Sequence, residues 1–211
     1  MRTGSVVNCL ARSCNENKRS NGVIRMLYLS KGIVRKGSTK QQLSVVRGDQ
    51  VCTLSGREAA LWLDGRFWFG MAYSKDYQIM RHLQSMGLAE AEEEDTTLNR
   101  YRILTRCLCF PAASGRREKP MPDDEKTILI WLRHAGLRLT TAELIFLMEH
   151  HIEPKPSLLG AENRQALTEA IYTADTIGDD LLEYQMESAK CRDEVLAALL
   201  KLLVKKKILL L

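Results

Sequence analysis

The 211-residue sequence lacks most of the local signatures that announce a chemistry. It holds no G-x-x-x-x-G-K-[ST], no G-x-G-x-x-G, no H-E-x-x-H and no G-x-S-x-G, so no phosphate-cradling loop, zinc-protease pair or nucleophile elbow can be read from it. Its six cysteines, at 9, 14, 52, 107, 109 and 191, include no pair with the two-residue gap of a zinc ribbon or dithiol redox site. They read as reduced thiols of a cytoplasmic protein, with Cys107 and Cys109 on one face of a strand as small apolar residues. No apolar run approaches the roughly 18 residues of a transmembrane helix. The apolar pieces near the N-terminus are interrupted by Asn8 and Ser13, so no signal-peptide core is expected. Of the four histidines, His150 and His151 are adjacent and point about 100° apart on a helix, so they form no two-ligand face. Carboxylate pairs such as Asp179 and Asp180 read as helix-start charges rather than a general acid and base. No catalytic group, metal or cofactor is expected.

What is present is an ordinary globular composition, 45% hydrophobic and 27% charged, with a net charge of +5. That mild total conceals an asymmetry. Residues 1–89 carry +9, residues 90–96 carry −5, residues 97–122 carry +5 and residues 123–211 carry −4. A basic front and an acidic back suggest two units with different partners. Pro111, Ser114, Gly115, Pro120 and Pro122 fall in the one Pro/Gly/Ser-rich stretch between patterned regions, which reads as a linker over 111–122. Residues 1–22 have no period and read as a loose basic arm.

In the front unit, residues 23–34 hold enough apolar side chains for one short element before the polar turn at 35–38. Ser55 followed by Glu58 is a capping-box helix start, continued by Leu61, Trp62 and Phe69. Residues 75–86 read as a helix with Ile79, Met80, Leu83 and Met86 on a buried stripe. Gln78, Arg81, His82 and Ser85 share the same spacing on a polar face. Gly87 ends that helix, residues 88–91 turn extended, and Glu92, Glu93, Glu94 and Asp95 make an acidic tip. Tyr101, Ile103 and Thr105 alternate as in a strand.

Residues 74–106, SKDYQIMRHLQSMGLAEAEEEDTTLNRYRILTR, resemble the recognition helix and wing of winged helix-turn-helix transcriptional regulators. The resemblance implies a winged-helix-like domain over 23–110, mainly α with a small β-hairpin wing, whose earlier helices fall near 23–34 and 55–69. It implies double-stranded DNA as partner. Arg81 would donate to guanine and Gln78 would pair with adenine. Lys75 and Tyr77 would reach phosphates, with His82 and Ser85 on the same face. Arg100, Arg102 and Arg106 would project from the wing strand toward the backbone. The acidic tip opposes this, because phosphates repel it.

The back unit, 123–211, reads as helical. Asp123, Asp124 and Glu125 open one helix, Thr140 and Glu143 cap a second, and residues 161–174 and 179–187 look helical as well. A last helix over 192–204 carries Val195, Leu196, Leu199, Leu202 and Leu203, followed by three lysines and a strand-like end at 208–211. A second winged-helix order fits this succession but lacks a return strand. The leucine density points to dimerisation or partner binding, with an intrachain or intermolecular cover for the C-terminal leucines. A membrane role is not expected. The leading expectation is therefore a sequence-specific DNA-binding regulator. The alternative is a non-catalytic protein-interaction module, an inhibitor or adaptor of the kind mobile elements carry, built on the same scaffold.

Overall fold

A computed structural model describes residues 25–39, 42–112, 120–135, 139–149, 151–155 and 190–211, with isolated positions between 157 and 169. The loose arm and the helices expected over 161–174 and 179–187 lie outside the described residues or touch them only at single positions. The described part is mixed α/β, with three small antiparallel sheets, and the expectation of a mainly α chain with a hairpin wing does not hold.

Strand β1, Arg25–Ser30, is the organising element, central in a sheet of order β5-β1-β6. Its neighbours are β5, Gly70–Tyr73, and β6, Ala89–Glu92, both antiparallel to it. Alternation along β1 sends Met26 and Tyr28 to one face, and Leu27 and Leu29 to the other. Both faces are buried, so the strand is an unbroken apolar run with no visible period. That is why residues 23–34 could be mapped onto a first helix. A short buried strand and a piece of buried helix look alike in sequence. Gly32, at φ +115, breaks the run before the short strand β2, Ile33–Val34, in a conformation that favours glycine.

Strands β2, β3 (Gln42–Arg47) and β4 (Gln50–Ser55) form a meander whose last turn is Gly48-Asp49. Leu43, Val45 and Leu54 point inward from it. Helix α1, Gly56–Asp64, follows, with Ser55 at its N-cap but no side-chain capping bond. The expected Ser55–Glu58 box thus marks the right start for the wrong reason. Helix α2, Tyr77–Ser85, connects β5 to β6, and Gly87 ends it at φ +65 as expected.

The expected wing strand is the largest departure. Residues Thr97–Thr105 form helix α3, with Thr96 accepting the Asn99 amide at 3.1 Å. Tyr101, Leu104 and Cys107 recur at a three-residue spacing, and Ile103 precedes Cys107 by four, so a helical stripe underlies the apparent alternation. Strand β6 therefore pairs with β1, and no hairpin joins it to residues 100–105.

Strand β7, Leu108–Pro111, is central in the third sheet, between β8 (Leu139–Thr140) and β9 (Ile208–Leu210). The central strand of this sheet thus ends at Pro111, where the linker was expected to begin, and pairs with strands that follow the 111–122 stretch. Helix α4, Asp123–His134, α5, Thr141–Glu149, and α6, Lys190–Val204, pack over this sheet. The α5 cap is a full reciprocal box. Glu143 accepts the Thr140 amide at 2.9 Å, and Thr140 accepts the Glu143 amide at 3.1 Å.

One apolar cluster joins Leu27 and Leu29 of β1 to α3, β7, α4, α5, α6 and β9. A second joins Met26 and Tyr28 to β3, β4, α1, α2 and β6. Each fully buried leucine contributes about 1.5–3 kcal/mol, so β1 is stabilised from both sides. The C-terminal leucines are covered by the chain itself, with Leu202, Leu203, Ile208 and Leu210 all buried in the first cluster. No helix among the described residues is long and apolar enough to cross a membrane.

Candidate nucleic-acid interface

One ion pair positions helix α2. The Arg57 guanidinium, from the first turn of α1, donates to both oxygens of Asp76 at 2.8 and 2.6 Å. Asp76 is buried just ahead of α2, and the hydrogen bond from Arg57 holds its carboxyl below the usual value of 3.8. A bidentate arginine–carboxylate pair fixes orientation as well as distance, so α1 sets the angle of α2. One turn further on, His82 Nε2 approaches Glu58 of α1 at 3.9 Å. Met80 and Leu83 then bury the inner stripe.

The outer face of α2 matches the sequence-based division. Lys75, Gln78, Arg81, His82 and Ser85 are all exposed. Tyr77 is half-buried and packs on the apolar cluster beneath the helix. The Ser85 hydroxyl donates to the His82 carbonyl at 2.8 Å. Among the described residues, Lys75, Gln78 and Arg81 make no side-chain hydrogen bond or ion pair.

Arg100, Arg102 and Arg106 are elsewhere. The first two belong to α3, which packs on the Leu27/Leu29 face of β1, whereas α2 packs on the Met26/Tyr28 face. The structure therefore does not bring the nine residues into one surface. Arg100 donates twice to Asp95, at 2.6 and 2.8 Å, with its guanidinium 5.3 Å from the Phe69 ring centre. Arg106 donates to Glu92 at 2.7 Å. Arg102 is half-buried and also engaged. Two acids of the expected wing tip, Asp95 and Glu92, thus pair with two arginines of the expected wing strand, Arg100 and Arg106.

Charge elsewhere near β1 is internally matched as well. Lys31, buried at the end of β1, donates to Glu90 at 2.8 Å. Buried Glu125 of α4 accepts from Lys205 at both carboxylate oxygens, at 2.8 and 2.7 Å. Cys107 and Cys109 are fully buried, and burial raises both thiols, Cys109 to about 11, which keeps them protonated and inert. His134 meets Glu153 at 2.7 Å.

Sequence reasoning missed the role of the acids at 92 and 95, and it missed the run Arg66-Phe67-Trp68-Phe69. Three consecutive aromatics beside an arginine, in a chain only 6% aromatic, were a signal in plain view. No family model, curated protein or solved structure matches this chain.

Proposed function

We propose that this protein is a non-catalytic regulator that reads double-stranded DNA with the outer face of helix α2. The carrying observation is that Lys75, Gln78 and Arg81 stand exposed at three-residue spacing with, among the described residues, no side-chain hydrogen bond or ion pair, while Arg100 and Arg106 are occupied. A helix of this width enters the major groove. There the guanidinium fork of Arg81 suits guanine O6 and N7, the amide of Gln78 suits adenine, and Lys75 reaches a phosphate. The exposed acids Asp123, Asp124, Asp193 and Glu194 suit the back of the chain to a protein partner or second copy rather than to DNA. The buried, protonated thiols fit a reducing cytoplasm.

The test is anisotropy of a labelled mixed-sequence duplex between about 50 and about 200 mM salt. The proposal expects log affinity to fall linearly with log salt. Absence of binding at the lower salt overturns it. The neutralisation of Arg100 and Arg106 favours a second reading, a protein-interaction module without DNA binding, and that same absence would leave it standing.

A further inference from the structure

The loop between α1 and β5 holds a feature that the α2 reading does not use. The Arg66 guanidinium lies 5.4 Å from the Trp62 ring centre and 4.7 Å from that of Phe67. The Lys206 ammonium, from the turn after α6, lies 5.1 Å from the Phe67 ring centre. Two residues after Arg66 in the same loop, Trp68 is 46% exposed, its ring 6.2 Å from that of Phe69 in an edge arrangement. Arg66 is half-buried, and its Nε is fully buried without a hydrogen-bond partner. Among the described residues, neither Arg66 nor Lys206 forms an ion pair. The turn that carries Lys206 is anchored by its neighbour Lys205 on Glu125.

Two cations held by aromatic rings have, among the described residues, no carboxylate to neutralise them, and Lys206 is exposed. The exposed indole of Trp68, in the same loop as Arg66, offers a flat apolar surface. We infer that Arg66, Trp68 and Lys206 form a second site, which binds single-stranded nucleic acid with a phosphate on the two cations and a base stacked on Trp68. A single strand presents unpaired bases that stack on aromatic side chains, whereas the bases of an intact duplex are stacked on one another. An acidic peptide would satisfy the cations but leave the indole unused. This site is independent of the duplex-reading face.

The experiment is a titration of the full chain with a labelled oligo-dT of about 12 nucleotides, followed by anisotropy and by tryptophan emission. Saturation quenches emission in the wild type, and Trp68→Ala removes that quenching and weakens binding about tenfold. Lys206 has φ +57, so Lys206→Asn removes the charge with a residue that tolerates this backbone. It weakens binding severalfold and lowers the salt slope by about 0.7. Unchanged melting temperatures show that both variants are folded. Arg81→Ala leaves oligo-dT binding intact while weakening duplex binding, so the two sites fail separately. Wild-type affinity in both Trp68→Ala and Lys206→Asn overturns the inference. So does an absence of quenching, or equal competition by a poly-glutamate peptide.

Discussion

Helices α2 and α3 lie against opposite faces of the same strand, and both carry basic side chains that a sequence-based reading assigns to DNA. Arg81 on α2 and Lys75 in the turn just before it are exposed and, among the described residues, form no side-chain hydrogen bond or ion pair. On and after α3, Arg100 is clamped by Asp95 and stacked on Phe69, and Arg106 is held by Glu92. The two helices differ less in how many cations they have than in which carboxylates reach them. Charge counted along the chain is therefore a poor guide to charge available to a ligand. The −5 segment at 90–96 looked like an obstacle to DNA binding, and in space three of its acids, Glu90, Glu92 and Asp95, pair with Lys31, Arg106 and Arg100.

The comparison can be broken most severely through β1 itself. Leu29→Ala removes a fully buried side chain from the α3 side and should cost about 2–5 kcal/mol, read as a lower urea midpoint. If the two faces were loosely coupled, the loss would be much smaller. On the α2 side, a methyl added at Gly70 would overlap the ring of Tyr28, so Gly70→Ala should cost about 1–3 kcal/mol by thermal melting. A smaller, pH-dependent effect belongs to Arg57 and Asp76. Because folding favours the Asp76 carboxylate, the pair's contribution is complete above the ordinary value of 3.8 and fades as pH falls through the lower folded value. Acid titration of the urea midpoint should therefore fall less steeply in Asp76→Asn. The smallest effect is expected at the α3 end, where Arg106→Ala breaks an exposed pair and should change stability by less than about 1 kcal/mol.

Elements with one buried and one exposed face were legible in the sequence. Helix α2 showed its polar and apolar stripes, and Gly87 its stop, because one side faces water. The leucine stripe of α6 was legible for the same reason, and the Thr140–Glu143 box by its residue types and three-residue spacing. Strand β1 was not, since burial of both faces erases the alternation that marks a strand. The β3–β4 hairpin was passed over although Gly48-Asp49 between Val45, Val46 and Val51 is a recognisable turn signal. Helix α3 was misread because Tyr101, Ile103 and Thr105 satisfy a two-residue period, and the competing three- and four-residue period appears only when Leu104 and Cys107 are included. In the candidate site, the exposed row on α2 could be read locally. The loss of Arg100 and Arg106 could not, because Asp95 and Glu92 reach them only once α3 has folded back from β6.

The central claim is that α2, and not α3, faces DNA. Duplex binding by Arg81→Ala and Arg106→Ala, measured side by side at one low salt concentration, tests it most directly. The account predicts a loss of about 1–3 kcal/mol in affinity for Arg81→Ala, with relaxed sequence choice, and wild-type binding for Arg106→Ala. Equal losses, or a loss confined to Arg106→Ala, would contradict it.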